Sequence, residues 1–236
     1  MKIAVCAIMK DENQYIEEWS NHYKNLGFDH IFIYDNNSKI PLVSEKDYIT
    51  IVNWPDNKFK SQSRSYLSCA KNEGKDYDYI LFIDADEFYM SKSMNIHKDV
   101  ENLKDKYGDF DGLGLYWRIY GQPKPYLEKR QLVEKYTQYF GNTHIKSLLK
   151  PKLILDFPDP HKGHLQPGSK YIDELNRTVV SPIGLHTSED IYIKHIFTRS
   201  KEEFKDKLER GDANLRGNYR TWEDFNNYND LCINKD

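Results

Sequence analysis

Only three cysteines occur in the 236 residues, Cys6, Cys69 and Cys232, far apart and odd in number. With no C-x-x-C, neither a disulfide framework nor a structural zinc site is indicated, and a reducing compartment fits. An excess of one charge is also missing. The 34 basic and 37 acidic residues give a net charge of −3, with no basic stripe to neutralise a nucleic-acid backbone, so nucleic acid is not an expected partner. Long apolar runs are absent too: the N-terminal MKIAVCAIMKDEN has about seven residues between its lysines, too few for a span, and no small-residue cleavage site. It reads as a first strand of a cytoplasmic protein. Finally, G-x-x-x-x-G-K-[ST], G-x-G-x-x-G after the first strand and G-x-S-x-G are all missing. This argues against a P-loop kinase, a dinucleotide-binding oxidoreductase and an α/β-hydrolase.

What is present is an alternation of short apolar runs and helical repeats. Lys2 to Met9 reads as a strand, and Tyr15, Ile16, Trp19, Tyr23 and Leu26 recur at helical spacing until Gly27. His30 to Tyr34 is a second strand, Ile49 to Val52 a third, Ser61 to Glu73 a helix ended by Gly74, and Tyr79 to Ile83 a fourth strand. Strand–helix alternation implies parallel strands and right-handed crossovers in an open α/β sheet. Asn95 to Tyr107 reads as a helix, and Leu113 to Ile119 alternates as a half-buried strand. From Gly121 to Gly168 periodicity fades into Pro- and Gly-rich loops. Thr178 to Leu185 and Ile191 to Phe197 read as strands, Ser200 to Arg210 and Trp222 to Leu231 as helices. The expected organisation is one domain over 1–236, in a first half at 1–110, a second at 111–200 and C-terminal helices at 200–236.

Three D-x-D triplets occur, but Asp76/Asp78 and Asp109/Asp111 lie in polar turns, whereas Asp84/Asp86 directly follows the apolar run Ile80 to Ile83. Two carboxylates delivered to the carboxyl edge of a sheet offer oxygen ligands to a hard divalent cation, which in turn can hold a diphosphate. The plainer alternative is a helix cap at Asp84 with Asp86 and Glu87 in water. Two further polar clusters end the first strands, Lys10-Asp11-Glu12 and Asp35-Asn36-Asn37-Ser38, and parallel strands should bring all three to one edge. His195, in the apolar run IYIKHIF, is a candidate nitrogen ligand suited to Mn²⁺. Arg64, Lys146, Arg199 and Lys207 are candidate diphosphate clamps, and His161 and His164 candidate acceptor contacts. Aromatic content of 14% suits either sugar-binding surfaces or a tyrosine-rich core.

The stretch KDENQYIEEWSNHYKNLGFDHIFIYDNNS, Lys10 to Ser38, resembles the opening of glycosyltransferase family 92-like proteins and their bacterial family 2-like relatives. The likeness continues through Gln62 and Cys69, the D-x-D-E-F block at Asp84 to Phe88, Trp117 with Gly121, Lys146 with Pro151, and HIFTRSKEEFKDKLERG, His195 to Gly211. It implies a GT-A fold: a Rossmann-like, mostly parallel sheet flanked by helices, with irregular acceptor-side loops and a C-terminal helical segment. The implied reaction is inverting transfer of a sugar, most often galactose, from a UDP-sugar to a glycan or lipid-linked oligosaccharide, with Mn²⁺ or Mg²⁺ as cofactor, in surface polysaccharide or lipopolysaccharide biosynthesis.

Carried over by position, Asp86 is the main metal carboxylate, Asp84 contacts ribose or metal, Asp35 contacts uracil or ribose, and His195 completes the metal shell. Arg199 and Lys207 face the diphosphate, and Lys10, Glu12, Arg64 and Lys146 join the nucleotide-sugar contacts. The general base is sought among Glu134, Asp159 and Glu128. Asp11 departs from the family's usual Asn, Lys39 follows Ser38 where an Asp is common, and Ile196-Phe197 replaces a Tyr. A binding module without turnover and a D-x-D phosphatase are the competing readings; Phe88 stands where such a phosphatase usually has Thr or Val. Peripheral contact with the inner face of a membrane would fall to the C-terminal helices with Trp222, Phe225 and Tyr228.

Overall fold

The first strand, β1 (Ile3–Met9), is buried along its whole length, so its two faces need two covers. In the computed structural model, which describes residues 1–121, 136–184, 189–211 and 220–235, each face has one. Ile3, Val5, Ala7 and Met9 pack in one core, with Trp19 and Tyr23 of α1 (Ile16–Asn25). Ala4, Cys6 and Ile8 pack in the other. The period of two in a strand makes this division automatic.

On one side of β1 lies β2 (His30–Asp35) and, beyond it, β3 (Ile49–Asn53). The helix α2 (Ser61–Lys71) adds Tyr66, Cys69 and Ala70 to the second core and leads to β4 (Tyr79–Asp84) on the other flank of β1. All three pairings are parallel. Their register sets Met9 beside Asp35 and Ile8 beside Asp84, so the three polar strand ends do share one edge.

The short β5 (Glu87–Ser91) follows, then α3 (Ile96–Tyr107), which adds Ile96, Val100 and Leu103 to the first core. Next come β6 (Gly112–Gly121), β7 (Gln138–Leu149), a two-stranded ribbon of β8 (Ile154–Asp156) and β9 (His164–Leu165), and β10 (Tyr171–Asp173) beside β6. The order ends with β11 (Ile191–His195), α4 (Lys201–Arg210), α5 (Trp222–Leu231) and β12 (Asn234–Lys235) on β7.

The main path of the sheet runs β3-β2-β1-β4-β7-β6-β11-β5, with antiparallel pairings in its second half. Here β4 and β5 stand four places apart, roughly 19 Å in a flat sheet. Yet only Ala85 and Asp86 join them, and three Cα steps reach at most about 11 Å. The sheet must therefore curl until β5 returns to β4, and the D-x-D motif is the link that closes the curl.

Three expectations are corrected. Residues 113–119 are buried on both faces, because the stretch 171–179 covers the alternate positions and the Arg118 guanidinium lies over Tyr192 at 3.9 Å. Thr178 to Gly184 makes isolated bridges at Thr178 and Ile183 rather than a strand, since Pro182 cannot donate to a ladder; Leu185 lies outside the described residues. The supposedly irregular stretch after Gly121 contains the 12-residue β7.

Gly121 shows how the C-terminal helix is seated. A Cβ there would lie 2.6 Å from Oδ1 of Asn229 and 2.9 Å from Sγ of Cys232. Gly121→Ala is expected to cost about 1–3 kcal/mol by overpacking, read as a lower urea midpoint.

Candidate active site

Asp84 ends β4 and turns into the curl. The Gln62 side-chain amide of α2 donates to Oδ1 of Asp84, the Tyr66 hydroxyl lies 3.1 Å from it, and the Lys146 ammonium of β7 lies 2.9 Å away. Lys146 is fully buried and stands 3.4 Å from Oε2 of the equally buried Glu87. Burial raises the Asp84 pKa, yet Lys146 outweighs it and holds the carboxyl below its usual range. Glu87 goes the other way: burial, reinforced by the charge of Asp84, pushes it well above the ordinary value. Lys146 is thus the countercharge of two carboxylates.

Asp86 has its own cation. The Lys207 ammonium of α4 donates to Oδ2, while Nε2 of His195 lies 3.6 Å from Oδ1. Against the opposing push of burial, Lys207 and His195 hold the Asp86 carboxyl well below its usual value. Burial lowers Lys207 to about 8 despite Asp86, and lowers His195 as well.

Beneath this pair Arg199 donates to Oε2 of Glu12 at 2.7 Å and to the Ala85 carbonyl at 3.2 Å. Arg210 reaches the other Glu12 oxygen at 3.1 Å. Of the six non-glycine residues with positive φ among those described, Asp11, Asn37, Lys60 and Arg199 border this region. Backbone strain of this kind gathers where structure is over-determined for function. At φ 57°, position 11 suits either Asn or Asp, so the departure from Asn there is conservative.

Above these residues opens a cleft of about 630 Å³, within the range of small-molecule sites. Its lining holds Asn36, Asn57, Phe59 and Gln62 as well as Asp84, Asp86, Lys207, Arg210 and Arg220. It therefore offers amide and aromatic groups to a polar planar moiety and cations to a polyanion.

Residues 1–167 match Glycosyltransferase family 92. The chain belongs to that family. Family 92 proteins of Ricinus communis and of Oryza sativa subsp. japonica are 23% and 25% identical over 185 and 188 residues, 73% and 72% of this chain. Those stretches are 33% and 31% of the relatives' own lengths, so the chain spans about a third of them. Among solved structures, S. aureus TarS is 13% identical, with a TM-score of 0.44 over 84% of this chain and 37% of that one. The catalytic domain of Drosophila β1,4-galactosyltransferase 7 in complex with xylobiose is 14% identical, with a TM-score of 0.35 over 93% and 82%. These overlaps are loose, and family membership rests on sequence.

Within this family 92 chain, the residues expected from sequence fall into two tiers. Lys10, Glu12, Asp84, Asp86 and Lys207 line the cleft. Lys146, Arg199, Asp35 and Arg64 stand one contact behind it. Asp35 accepts from the backbone N–H groups of Ser38 and Leu42, both at 3.0 Å, so its carboxylate braces the loop after Asn36. Arg64 pairs with Asp56 at 2.6 Å and donates to the Lys58 carbonyl at 3.0 Å, bracing the cleft loop.

His195 is buried within the curl, beside Glu87 and edge-on to Trp117. His164 pairs with Asp156 at the exposed ribbon. Asp159 accepts from the His161 N–H at 2.7 Å. Glu128 and Glu134 lie outside the described residues. Sequence reasoning missed Glu87, Asn57, Phe59, Arg210 and Arg220; the acidic residue following D-x-D was the one available signal.

A divalent cation can be tested against these donors. Oδ1 of Asp84 is occupied by protein groups, no hydrogen bond from a described residue reaches Oδ2, and both Asp84 and Asp86 line the cleft. No three His, Cys, Asp or Glu side chains among the described residues stand together as a complete cage. Two cleft carboxylates fit an ion whose remaining ligands come from a diphosphate and water, the usual mode for a hard cation.

Proposed function

We propose that this chain transfers a sugar, galactose in the first instance, from a UDP-sugar to a glycan or lipid-linked oligosaccharide, with inversion and with Mn²⁺ or Mg²⁺ assistance. The observation that carries the reading is the cleft of a family 92 chain in which Asp84 and Asp86 stand beside Lys207, Arg210 and Arg220. An ion bound by the two carboxylates would supply Lewis-acid stabilisation of the leaving diphosphate.

The chain's own residues do the rest. Lys207, Arg210 and Arg220 bind and orient the polyanion, and Asn36, Asn57 and Phe59 offer amide and aromatic contacts to the nucleoside. Lys146 holds Asp84 ionised and aimed at the cleft. No helix among the described residues is long and apolar enough to cross a membrane. Action on a surface-polysaccharide precursor at the cytoplasmic face of a membrane fits this reading through peripheral contact.

Incubation with a panel of nucleotide sugars, with Mn²⁺ or with EDTA, tests it. Release of UDP from UDP-galactose that EDTA abolishes is expected. Binding without turnover would favour a sugar-nucleotide-binding module, and neither binding nor turnover with any donor overturns the proposal.

A further inference from the structure

Beside the site, the β4–β7 ladder stops early. Its last pair is Phe82 with Ser147, and above it the edge of β7 is taken over by other groups. The Ile145 N–H donates to the Pro182 carbonyl at 3.1 Å, and Nδ1 of His161 lies 3.2 Å from the Ile145 carbonyl. His161 thus enters the gap left beside the strand end that carries Asp84. Its loop is tied to the cleft wall, since the Lys60 ammonium donates to the Pro158 carbonyl at 2.7 Å and Phe157 packs on Tyr66 at 5.6 Å. The rings of Trp117 and His144, at 4.9 and 5.2 Å, fix the imidazole plane.

A carbonyl only accepts, so Nδ1 must carry the proton and Nε2 the lone pair. No hydrogen bond from a described residue reaches Nε2, it is not among the buried polar atoms lacking partners in the described residues, and the side chain keeps partial exposure. We propose that Nε2 of His161 is the general base toward the acceptor hydroxyl, an assignment that rests on the transferase reading above. The hydroxyl proton passes to Nε2 as the acceptor oxygen bonds to the anomeric carbon. The bond from that carbon to the phosphate oxygen breaks, and its electron pair leaves on the nucleoside diphosphate.

Asp159, expected from sequence as a base, serves the loop that presents this ring. Burial, with Lys146 and His144 adding to it, pushes the imidazole down to about 4 against the pull of Asp159 and Asp84. The ring is then neutral at physiological pH and as basic as an ordinary carboxylate.

The test uses the intact chain, Mn²⁺, the nucleotide-sugar panel and methyl glycosides as acceptors. His161→Asn and His161→Gln are expected to lower kcat by about 10²–10⁴-fold while donor affinity by calorimetry stays within about threefold. A folded variant that turns over at the wild-type rate overturns the base assignment alone, whereas a wild-type chain inactive with every donor overturns the reading beneath it. Nitrogen-15 NMR of the wild-type imidazole gives a check independent of variant folding. The Nδ1–H tautomer at neutral pH is expected; an Nε2–H tautomer or an imidazolium overturns the proposal.

Discussion

Asp86→Ala is expected to lower UDP release by about 10²–10³-fold, the scale of removing one preorganised charge-stabilising group, and to weaken Mn²⁺ binding at least about tenfold. Asp86 faces the cleft with one oxygen near His195 and the other on Lys207. Two roles are therefore combined in one carboxylate, and Lys207→Met separates them. If Asp86 binds the ion, Lys207→Met leaves Mn²⁺ affinity intact or raises it, because a competing ammonium has gone, while diphosphate binding weakens.

Were Asp86 only the counterion of Lys207, the two variants would lose activity alike and Mn²⁺ affinity would not move. Stability adds a signature. The folded Asp86 carboxyl is held well below its usual value, so its pairing stabilises the protein above an unfolded pKa of about 4 and is lost as pH falls through the folded one. Asp86→Ala should therefore flatten the acid limb of the stability profile.

How far the site could be read from the chain follows from where its groups come from. The polar ends of β1, β2 and β4 were legible because continuous apolar runs stop abruptly at Lys10, Asp35 and Asp84, and parallel pairing leaves no other edge for them. What stayed hidden was the second half of the sheet. In β7 the alternation that marks a strand is broken by His144 and Lys146, which turn into the curl and contact Trp117 and Asp84. A strand whose inward face carries the site looks polar on both faces, and so reads as loop.

The curl explains the remaining mistakes. Nothing local in Asp84-Ala85-Asp86-Glu87 says that two strands four places apart meet there. Glu87 therefore received no role from the sequence, and the plainer alternative left it in water, although it is fully buried against Lys146. Arg64 and Asp35 carry the expected chemistry at the expected edge, and each also braces its own loop. A residue's place on an edge does not reveal whether it faces the ligand or the turn that presents the ligand's neighbours.

Lys146→Met is expected to be the most destabilising single change in this site, by about 3–5 kcal/mol, because it leaves the buried Glu87 and the half-buried Asp84 without their shared cation. The pH dependence identifies the cause. Burial and the Asp84 charge already hold the Glu87 carboxyl above its ordinary value, and loss of Lys146 raises it further. A carboxyl whose folded pKa is raised binds its proton more tightly in the native state, so the native state gains at low pH and loses as pH rises through that value. Urea midpoints of the variant should therefore fall from mildly acidic to mildly alkaline pH more steeply than those of the wild type. Lys146→Met/Glu87→Gln should recover most of the loss, because a neutral amide removes one of the two stranded charges. Additive effects of the two substitutions would show that Lys146 acts through packing instead, since groups sharing one charge network couple and independent ones do not.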